Sequence, residues 1–164
     1  MKKISLVLAI LLIAMFALFA LGSGEDTTVD QGNDSAANNA QSGNIGNYSV
    51  TIDSCRIAKS YDNKSVVIVK YTFKNVNDEN PTAFYVAFND HVYQNGVGLN
   101  KAYVLDNSAN YSADNQTKEI KKGASIEVEV AYELNDTTTS IEVEVEELFS
   151  FNDTKITKTF SIAG

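Results

Sequence analysis

The chain has 164 residues and a formal net charge of −8 at pH 7, with 21 acidic side chains against 13 basic ones. This balance argues against nucleic acid, whose affinity depends on Lys and Arg neutralising phosphates, and against electrostatic docking on anionic lipid. The single cysteine, Cys55, excludes an intrachain disulfide, so an exported domain would depend on its hydrophobic core.

Residues 1–22 predict an export segment. Two lysines follow Met1, and the next 18 residues, 4–21, carry no charge. This length lies between the core of a cleavable signal peptide, about 7–15 residues, and a membrane-spanning helix, about 17–25 residues. Two alternatives stay open, namely cleavage around Gly22 and Ser23 or retention as an N-terminal membrane anchor. A thioether-linked lipid is excluded at Ser23, because serine has no sulfur.

Residues 23–47 predict a disordered linker. The segment SGEDTTVDQGNDSAANNAQSGNIGN has no Lys, Arg or aromatic residue, and only Val29 and Ile45 are large and apolar. Such a segment buries too little apolar surface to offset its ordering entropy. As a flexible coil it would span roughly 25–30 Å and could lift a domain off a membrane.

From Tyr48 onwards, alternation of apolar and polar residues predicts β-strands. The apolar phase shifts between Ile52 and Cys55, which predicts a β-bulge. The segment 65–75 is apolar on both faces, as a central strand would be. Next, Phe84, Val86 and Phe88 are expected on one face of a strand. Asn95-Gly96 then predicts a hairpin turn, because both residues tolerate positive φ.

Two further strands alternate apolar residues with glutamates, over 124–134 and 141–146, and the segment 155–162 closes the domain. No segment after Gly22 has a helical period. About seven strands with turns at this spacing predict an all-β fold over residues 48–164, an antiparallel β-sandwich, with a small β-barrel as the second choice.

Two stretches carry a resemblance to a known family. FNDHVYQNGVGL (88–99) has the pattern Phe-x-Asp-x-Val-x-Gln-x-Gly-x-x-Leu, and IKKGASIEVEVAYELND (120–136) has a Gly-x-Ser strand that ends in Tyr-x-Leu-x-Asp. Together with the leader and linker, they resemble immunoglobulin-like domains of unknown function in Gram-positive surface lipoproteins. The resemblance covers about residues 48–148 and implies an immunoglobulin-like sandwich at the cell surface. It implies no activity and no site residue, and the lipid-bearing cysteine of such proteins has no counterpart here.

The glutamate-rich strands could bind cations or a basic partner, but a solvated outer face is the simpler interpretation. Like charges directly opposite on paired strands repel. We therefore expect either that these strands lie in different sheets or that lysines interleave them. The residues concerned are Glu127, Glu129, Glu133, Glu142, Glu144 and Glu146, with Lys70, Lys74, Lys155 and Lys158.

Calcium is a sharper alternative, since it needs six to eight converging oxygens. No segment has EF-hand spacing, so a site would require convergence across loops. The carboxylates expected in loops or at strand ends are Asp78, Glu79, Asp90, Asp106, Asp114, Asp136 and Asp153.

Catalytic chemistry has little support in the sequence. His91 is the only histidine, and its neighbour Asp90 would point to the opposite face of a strand. We expect a surface histidine without a triad. Cys55 falls on an apolar phase and is expected to pack as a small hydrophobe. One cysteine and one histidine do not make a zinc site.

The irregular segment 100–116 is the candidate contact surface. Long loops on a sandwich often carry recognition, and tyrosine is enriched at interfaces. The segment contains Tyr103 and Tyr111, which are the candidate partner-binding residues.

The sequence therefore predicts an extracytoplasmic protein, either secreted or anchored to the outer face of the cytoplasmic membrane. Its expected role is a non-enzymatic binding or adhesion module, with no cofactor and no catalytic residue. The expected partner is a cell-envelope or extracellular protein or glycan rather than nucleic acid, and membrane contact comes only through the N-terminal segment. The alternatives are a calcium-dependent structural module and, less favoured, an exported hydrolase.

Overall fold

The structure, a computed structural model, describes residues 41–104, 110–149 and 153–163. The predicted leader, the cleavage region at Gly22 and Ser23, and linker residues 23–40 lie outside the described residues. Within the described part of the chain, no helix has the length and hydrophobicity needed to cross a bilayer.

Eight strands form two antiparallel sheets that pack as a sandwich. The first sheet has the order β1-β2-β3-β6 and the second has the order β5-β4-β7-β8. The strands are β1 (Gln41–Ile45), β2 (Tyr48–Lys59), β3 (Ser65–Asn75), β4 (Phe88–Gln94), β5 (Val97–Gly98), β6 (Ser125–Glu133), β7 (Ile141–Glu147) and β8 (Lys155–Phe160). This confirms the predicted all-β antiparallel sandwich, whereas its immunoglobulin-like assignment stays a prediction.

The core lies between the two sheets and follows the alternation of the sequence. In β7, Ile141, Val143 and Val145 are buried, and the alternating glutamates lie on the outer face, namely Glu142, Glu144 and Glu146. Strand β3 is buried on both faces over 66–69, as expected for a central strand, and farther along only its inward face is buried. Aromatic rings fill one end of the core, with centroids 5.3–6.0 Å apart. These rings belong to Tyr48, Tyr71, Phe73, Phe84 and Phe88.

The predicted β-bulge is confirmed, because the pairing of β2 with β3 shifts register between Ile52 and Ser54. The bulge turns the carbonyls of Ile52 and Asp53 towards the second sheet. There the Nζ of Lys158 donates to both carbonyl oxygens, at 3.1 and 2.8 Å, and lies 4.4 Å from the centre of the Phe160 ring. One lysine therefore joins the two sheets at the bulge.

Strand β1 corrects the predicted linker, because Gln41–Ile45 is ordered and pairs with β2. The prediction of disorder over 23–47 is therefore wrong for its last seven residues. Gly46, with φ +59°, allows a two-residue hairpin turn into β2. Gly43 lets β1 approach β8 closely, since a Cβ there would lie 2.8 Å from the Cδ1 of Ile156. Ile45, at the end of the strand, is buried in the main core.

Residues Phe84–Ala87 form a single helical turn, α1, which corrects the predicted strand face. Phe84 and Phe88 are buried, but Val86 is 41% exposed. The helical turn rotates Val86 away from the core, so the three residues do not share a face. One turn is too short to produce a helical period in the sequence.

The irregular segment after β5 covers the free edge of β6. The backbone N–H of Ala102 donates to Ala131 O at 2.8 Å, and Glu133 N–H donates to Asn100 O at 2.9 Å. Further along, a 3₁₀ helix, Ala113–Gln116, places two side-chain amides on the carbonyls of Glu127 and Glu129. These contacts satisfy backbone groups that would otherwise form an open sheet edge.

Candidate functional site

Two ends of the sandwich carry exposed apolar side chains. We call them the α1 end and the β2–β3 end. The α1 end contains the β1–β2 turn, α1 and the last residues of β7, while the β2–β3 end contains the turn at 60–64 and the hairpin turn at Asn95-Gly96. At that hairpin both φ values are positive, 53° and 74°, which confirms the predicted turn. The two ends offer separate surfaces.

A half-open cleft of about 190 Å³ lies at the α1 end. Strands β2 and β7, the loop after β3 and the α1 turn each contribute to its wall. Its lining residues are Tyr48, Asp78, Thr82, Val86, Ala87, Glu147 and Phe149. The cleft therefore combines aliphatic and aromatic surface with two carboxylates.

The backbone at the cleft positions Glu147 against the β1–β2 turn. Glu147 is the last residue of β7 and pairs with Phe88 of β4. A Cβ at Gly46 would lie 2.4 Å from both carboxylate oxygens of Glu147, so this carboxylate lies directly against the turn. The next residue, Leu148, is held to α1 by its backbone N–H, which donates to Ala87 O at 3.0 Å.

Asp78 is anchored in the loop after β3. Its Oδ2 accepts a hydrogen bond from Tyr48 Oη at 2.6 Å, and its Oδ1 accepts from the Asn80 backbone N–H at 3.0 Å. The bond from Tyr48, followed by that from the Asn80 amide, lowers the pKa of the Asp78 carboxyl. Burial and the neighbouring Asp78 raise the pKa of the Tyr48 hydroxyl. The pair therefore presents a carboxylate and a neutral phenol to the cleft at neutral pH.

An apolar rim borders the cleft. We define it as Tyr85, Val86, Leu148 and Phe149, which are 55%, 41%, 40% and 80% exposed. Exposed apolar and aromatic groups beside a concavity are typical of binding surfaces. These residues were not among the sequence candidates. The sequence feature that could have identified this end is a cluster of three apolar residues in the otherwise polar connection between two strands, namely Leu148, Phe149 and Phe151.

The two tyrosines predicted as contact residues differ in their burial. Tyr103 is 90% exposed, at the β2–β3 end, where its carbonyl accepts a hydrogen bond from the backbone N–H of Tyr61 at 3.1 Å. Tyr111 is only 7% exposed and packs in a small second core with Val66 and Ile68. Tyr111 is therefore buried rather than exposed, and its ring anchors the irregular segment on the first sheet. A partner-binding role for either tyrosine stays a prediction.

The glutamate-rich strands lie in different sheets, β6 in the first and β7 in the second, which is one of the two predicted arrangements. Lysines also neutralise them, since Lys70 pairs with Glu127 at 2.7 Å and Lys155 with Glu144 at 2.9 Å. Lys158 does not take part, contrary to the prediction. It lies on the inward face of β8 and binds the bulge carbonyls instead.

A second cleft, of about 340 Å³, lies on the outer face of the first sheet and is strongly polar. Arg56 forms an ion pair with Glu129 and donates to the carbonyl of Asn110. Burial opposes ionisation of Glu129, but Arg56 and the Ser112 amide hold the pKa of its carboxyl below the ordinary value. The charged groups of this cleft thus hold the segment around Asn110 on the sheet.

The described residues contain no group of three or more His, Cys, Asp or Glu side chains that could hold a metal ion. Asp90 is buried in the middle of β4, where its carboxylate accepts hydrogen bonds from Tyr132 and from Lys101, the latter at 2.7 Å. Asp136 accepts from the backbone of Thr138 and Thr139. These carboxylates are used inside the fold, whereas Asp106 lies outside the described residues.

His91 and Cys55 lie where the sequence predicts. His91 is on the open outer face of β4, with its Nε2 4.0 Å from Glu146 and its ring beside Tyr93. Cys55 packs against the main core, and burial raises the pKa of its thiol to about 11. Neither side chain lies in the cleft at the α1 end.

The fold and the cleft define a β-sandwich module with a candidate ligand-binding end. The chain belongs to the family described as Domain of unknown function (DUF5067), whose sequence profile matches residues 23–147. The comparison with curated proteins found no match.

Two solved structures are similar in fold. One is a "putative lipoprotein" (ycdA) from Bacillus subtilis, with a TM-score of 0.56 and 15% identity over 74% of this chain. The other is a "putative lipoprotein" from Staphylococcus aureus, with a TM-score of 0.55 and 18% identity over 76% of this chain. The alignment covers 38% of the Bacillus chain and 94% of the Staphylococcus chain, so this chain spans well under half the length of the first. At these identities the similarity establishes the fold alone.

Proposed function

We propose that this protein is an extracytoplasmic, non-enzymatic binding module that contacts a cell-envelope or extracellular partner through the cleft and apolar rim of the α1 end. The observation that carries the proposal is the coincidence of a concave site with exposed apolar and aromatic side chains. Well-packed aromatic anchors supply most of the binding energy in protein interfaces. The uncharged N-terminal run and the lipoprotein assignment of both structural neighbours support the extracytoplasmic location.

The binding role is favoured over a hydrolase by the setting of the only histidine. The neighbours of His91 are a glutamate and a tyrosine on an open sheet face, which differs from the arrangement of nucleophile, base and orienting group in a triad hydrolase. The cleft itself offers carboxylates and apolar surface, and the module requires no cofactor for binding of this kind.

A comparison of two exposed aromatic residues at opposite ends tests the proposal. The full chain, purified in mild detergent, is assayed for binding to isolated envelope fractions of the organism that produces it. Phe149→Ala should weaken binding about ten-fold or more, as expected for an interface anchor. Tyr103→Ala is the matched control and should leave binding unchanged.

Three results would overturn parts of the proposal. The reverse pattern would place the binding surface at Tyr61 and Tyr103, at the β2–β3 end. No saturable binding to any envelope fraction would remove the binding role. Turnover of an envelope polymer by the purified chain would show that the protein is an enzyme.

A further inference from the structure

The charge of the cleft selects among partners. Among the described residues that line it, Asp78 and Glu147 are the charged ones. Asp78 already accepts hydrogen bonds from Tyr48 of β2 and from Asn80 of its own loop. Among the described residues, by contrast, none donates a hydrogen bond to the Glu147 carboxylate or forms an ion pair with it. The cleft therefore offers a carboxylate whose hydrogen-bonding capacity is left for a ligand.

The nearby lysines do not line the cleft. Lys122, on the neighbouring loop, is paired with Glu79. Lys155 is paired with Glu144 on the outer face of the second sheet. The field inside the cleft is thus set by carboxylates, and an anionic ligand would be repelled there.

We infer that the cleft binds a basic side chain, lysine or arginine, of a peptide or protein segment whose neighbouring apolar residue packs on the rim. The inference rests on the proposed binding role of the α1 end. The alkyl stem of such a side chain matches the aliphatic wall at Val86 and Ala87, and its cationic head reaches Glu147 and Asp78. The exposed ring of Phe149 adds a cation–π surface. The net charge of −8 favours encounter with a basic partner over long range.

The test uses three capped peptides, Gly-Phe-Lys-Leu-Gly and its versions with Gln or Glu in place of Lys. Their binding to the full chain in mild detergent is followed by NMR titration. The lysine peptide should bind about ten-fold more tightly than the glutamate peptide, with the glutamine peptide between them. Raising the salt concentration should reduce the differences in affinity among the three peptides, because salt screens charges that are partly exposed to solvent.

Glu147→Gln isolates the charge at nearly constant shape. It should weaken binding of the lysine peptide about three- to ten-fold and leave binding of the glutamine peptide unchanged. Glu142→Gln is the matched control, since it makes the same change on the exposed face at the other end of β7, and it should have no effect. If Glu147→Gln disturbs the turn at Gly46, the salt titration of the wild-type chain still tests whether charge contributes to peptide binding.

The outcomes separate this inference from the proposed function. If the three peptides bind equally, or if Glu147→Gln binds the lysine peptide as the wild type does, the basic-ligand inference is wrong. In that case a loss of envelope binding in Phe149→Ala would still support the binding module. If Phe149→Ala also binds envelope fractions normally, both proposals fail.

Discussion

Replacing Lys158 with methionine tests whether one buried lysine holds the two sheets together. The residue is 9% exposed, and its Nζ donates to the carbonyls of Ile52 and Asp53 at the β-bulge. Methionine keeps most of the apolar stem but removes the donors. Asp53 has no partner in the register of β2 with β3, whereas Ile52 pairs with Tyr71. The change removes the Lys158 hydrogen bond from both carbonyls.

The magnitude follows from the burial of the two acceptors. The bond to Ile52 is buried, and a hydrogen bond to a charged group contributes about 1.5–3 kcal/mol. The bond to Asp53 is partly buried, so water can replace it at small cost. Loss of the cation–π contact with Phe160 adds about 0.5–1 kcal/mol. Burial of the Lys158 charge costs desolvation energy, and this desolvation lowers the pKa of Lys158. Methionine carries no charge, so the substitution removes this cost and offsets part of the loss. We expect a net destabilisation of about 2 kcal/mol.

Urea unfolding monitored by circular dichroism measures the effect. With a slope of about 2 kcal/mol/M, the midpoint should fall by about 1 M. Lys155→Met is the matched control, since it makes the same change on the outward face of the same strand and should leave the midpoint unchanged within error. An unchanged or raised midpoint in Lys158→Met would show that desolvation of the charge outweighs its hydrogen bonds, and would refute the reasoning.

Three further predictions concern single groups. Burial raises the pKa of the Cys55 thiol to about 11 from 9.0. At pH 8 this thiol should therefore react with a disulfide reagent about a hundred-fold more slowly in the native chain than in the urea-unfolded chain. Equal reaction rates would contradict this prediction. Hydrogen bonds from Thr139 and Thr138 lower the pKa of Asp136 to about 2 from 3.8, so its contribution to stability should be complete above pH 4 and lost as pH falls towards 2. When the free energy of unfolding is measured against pH, Asp136→Ala should therefore lose less stability between pH 4 and pH 2 than the wild type. Tyr111→Ala should lower the free energy of unfolding by about 3 kcal/mol, whereas Tyr103→Ala should leave the thermal midpoint unchanged.

The features that could be predicted from the sequence are those with a local signature. The register shift after Ile52 is visible because the apolar phase changes by one residue, and the bulge follows from it. The turn at Asn95-Gly96 is visible because few residues tolerate positive φ. Repulsion between like charges on neighbouring strands predicts either separate sheets or interleaved lysines for the glutamate-rich strands, and the structure shows both.

The features that could not be predicted depend on contacts far apart in the sequence. Strand β1 reads as disordered because its composition is polar, and only its pairing with β2 and its contact with β8 order it. The residues that line the cleft come from the start of β2, the loop after β3, α1 and the end of β7. No single segment of the sequence therefore predicts the cleft. Lys158 reads as a surface charge, and only the bulge carbonyls across the sandwich explain its burial.

The irregular segment 100–116 shows why loop length is a weak guide to recognition in this fold. Its backbone and amide side chains satisfy the outward-facing groups of β6 from Glu127 to Glu133, and its Tyr111 ring fills the small second core. An open edge strand invites association with other chains, so a segment that closes it has a structural reason to exist without any ligand. The rim at the α1 end differs, because the side chains of Phe149 and Val86 fill no core and remain exposed. Exposed apolar side chains beside a cleft are costly to solubility unless a partner uses them. The α1 end is therefore the better place to look for function.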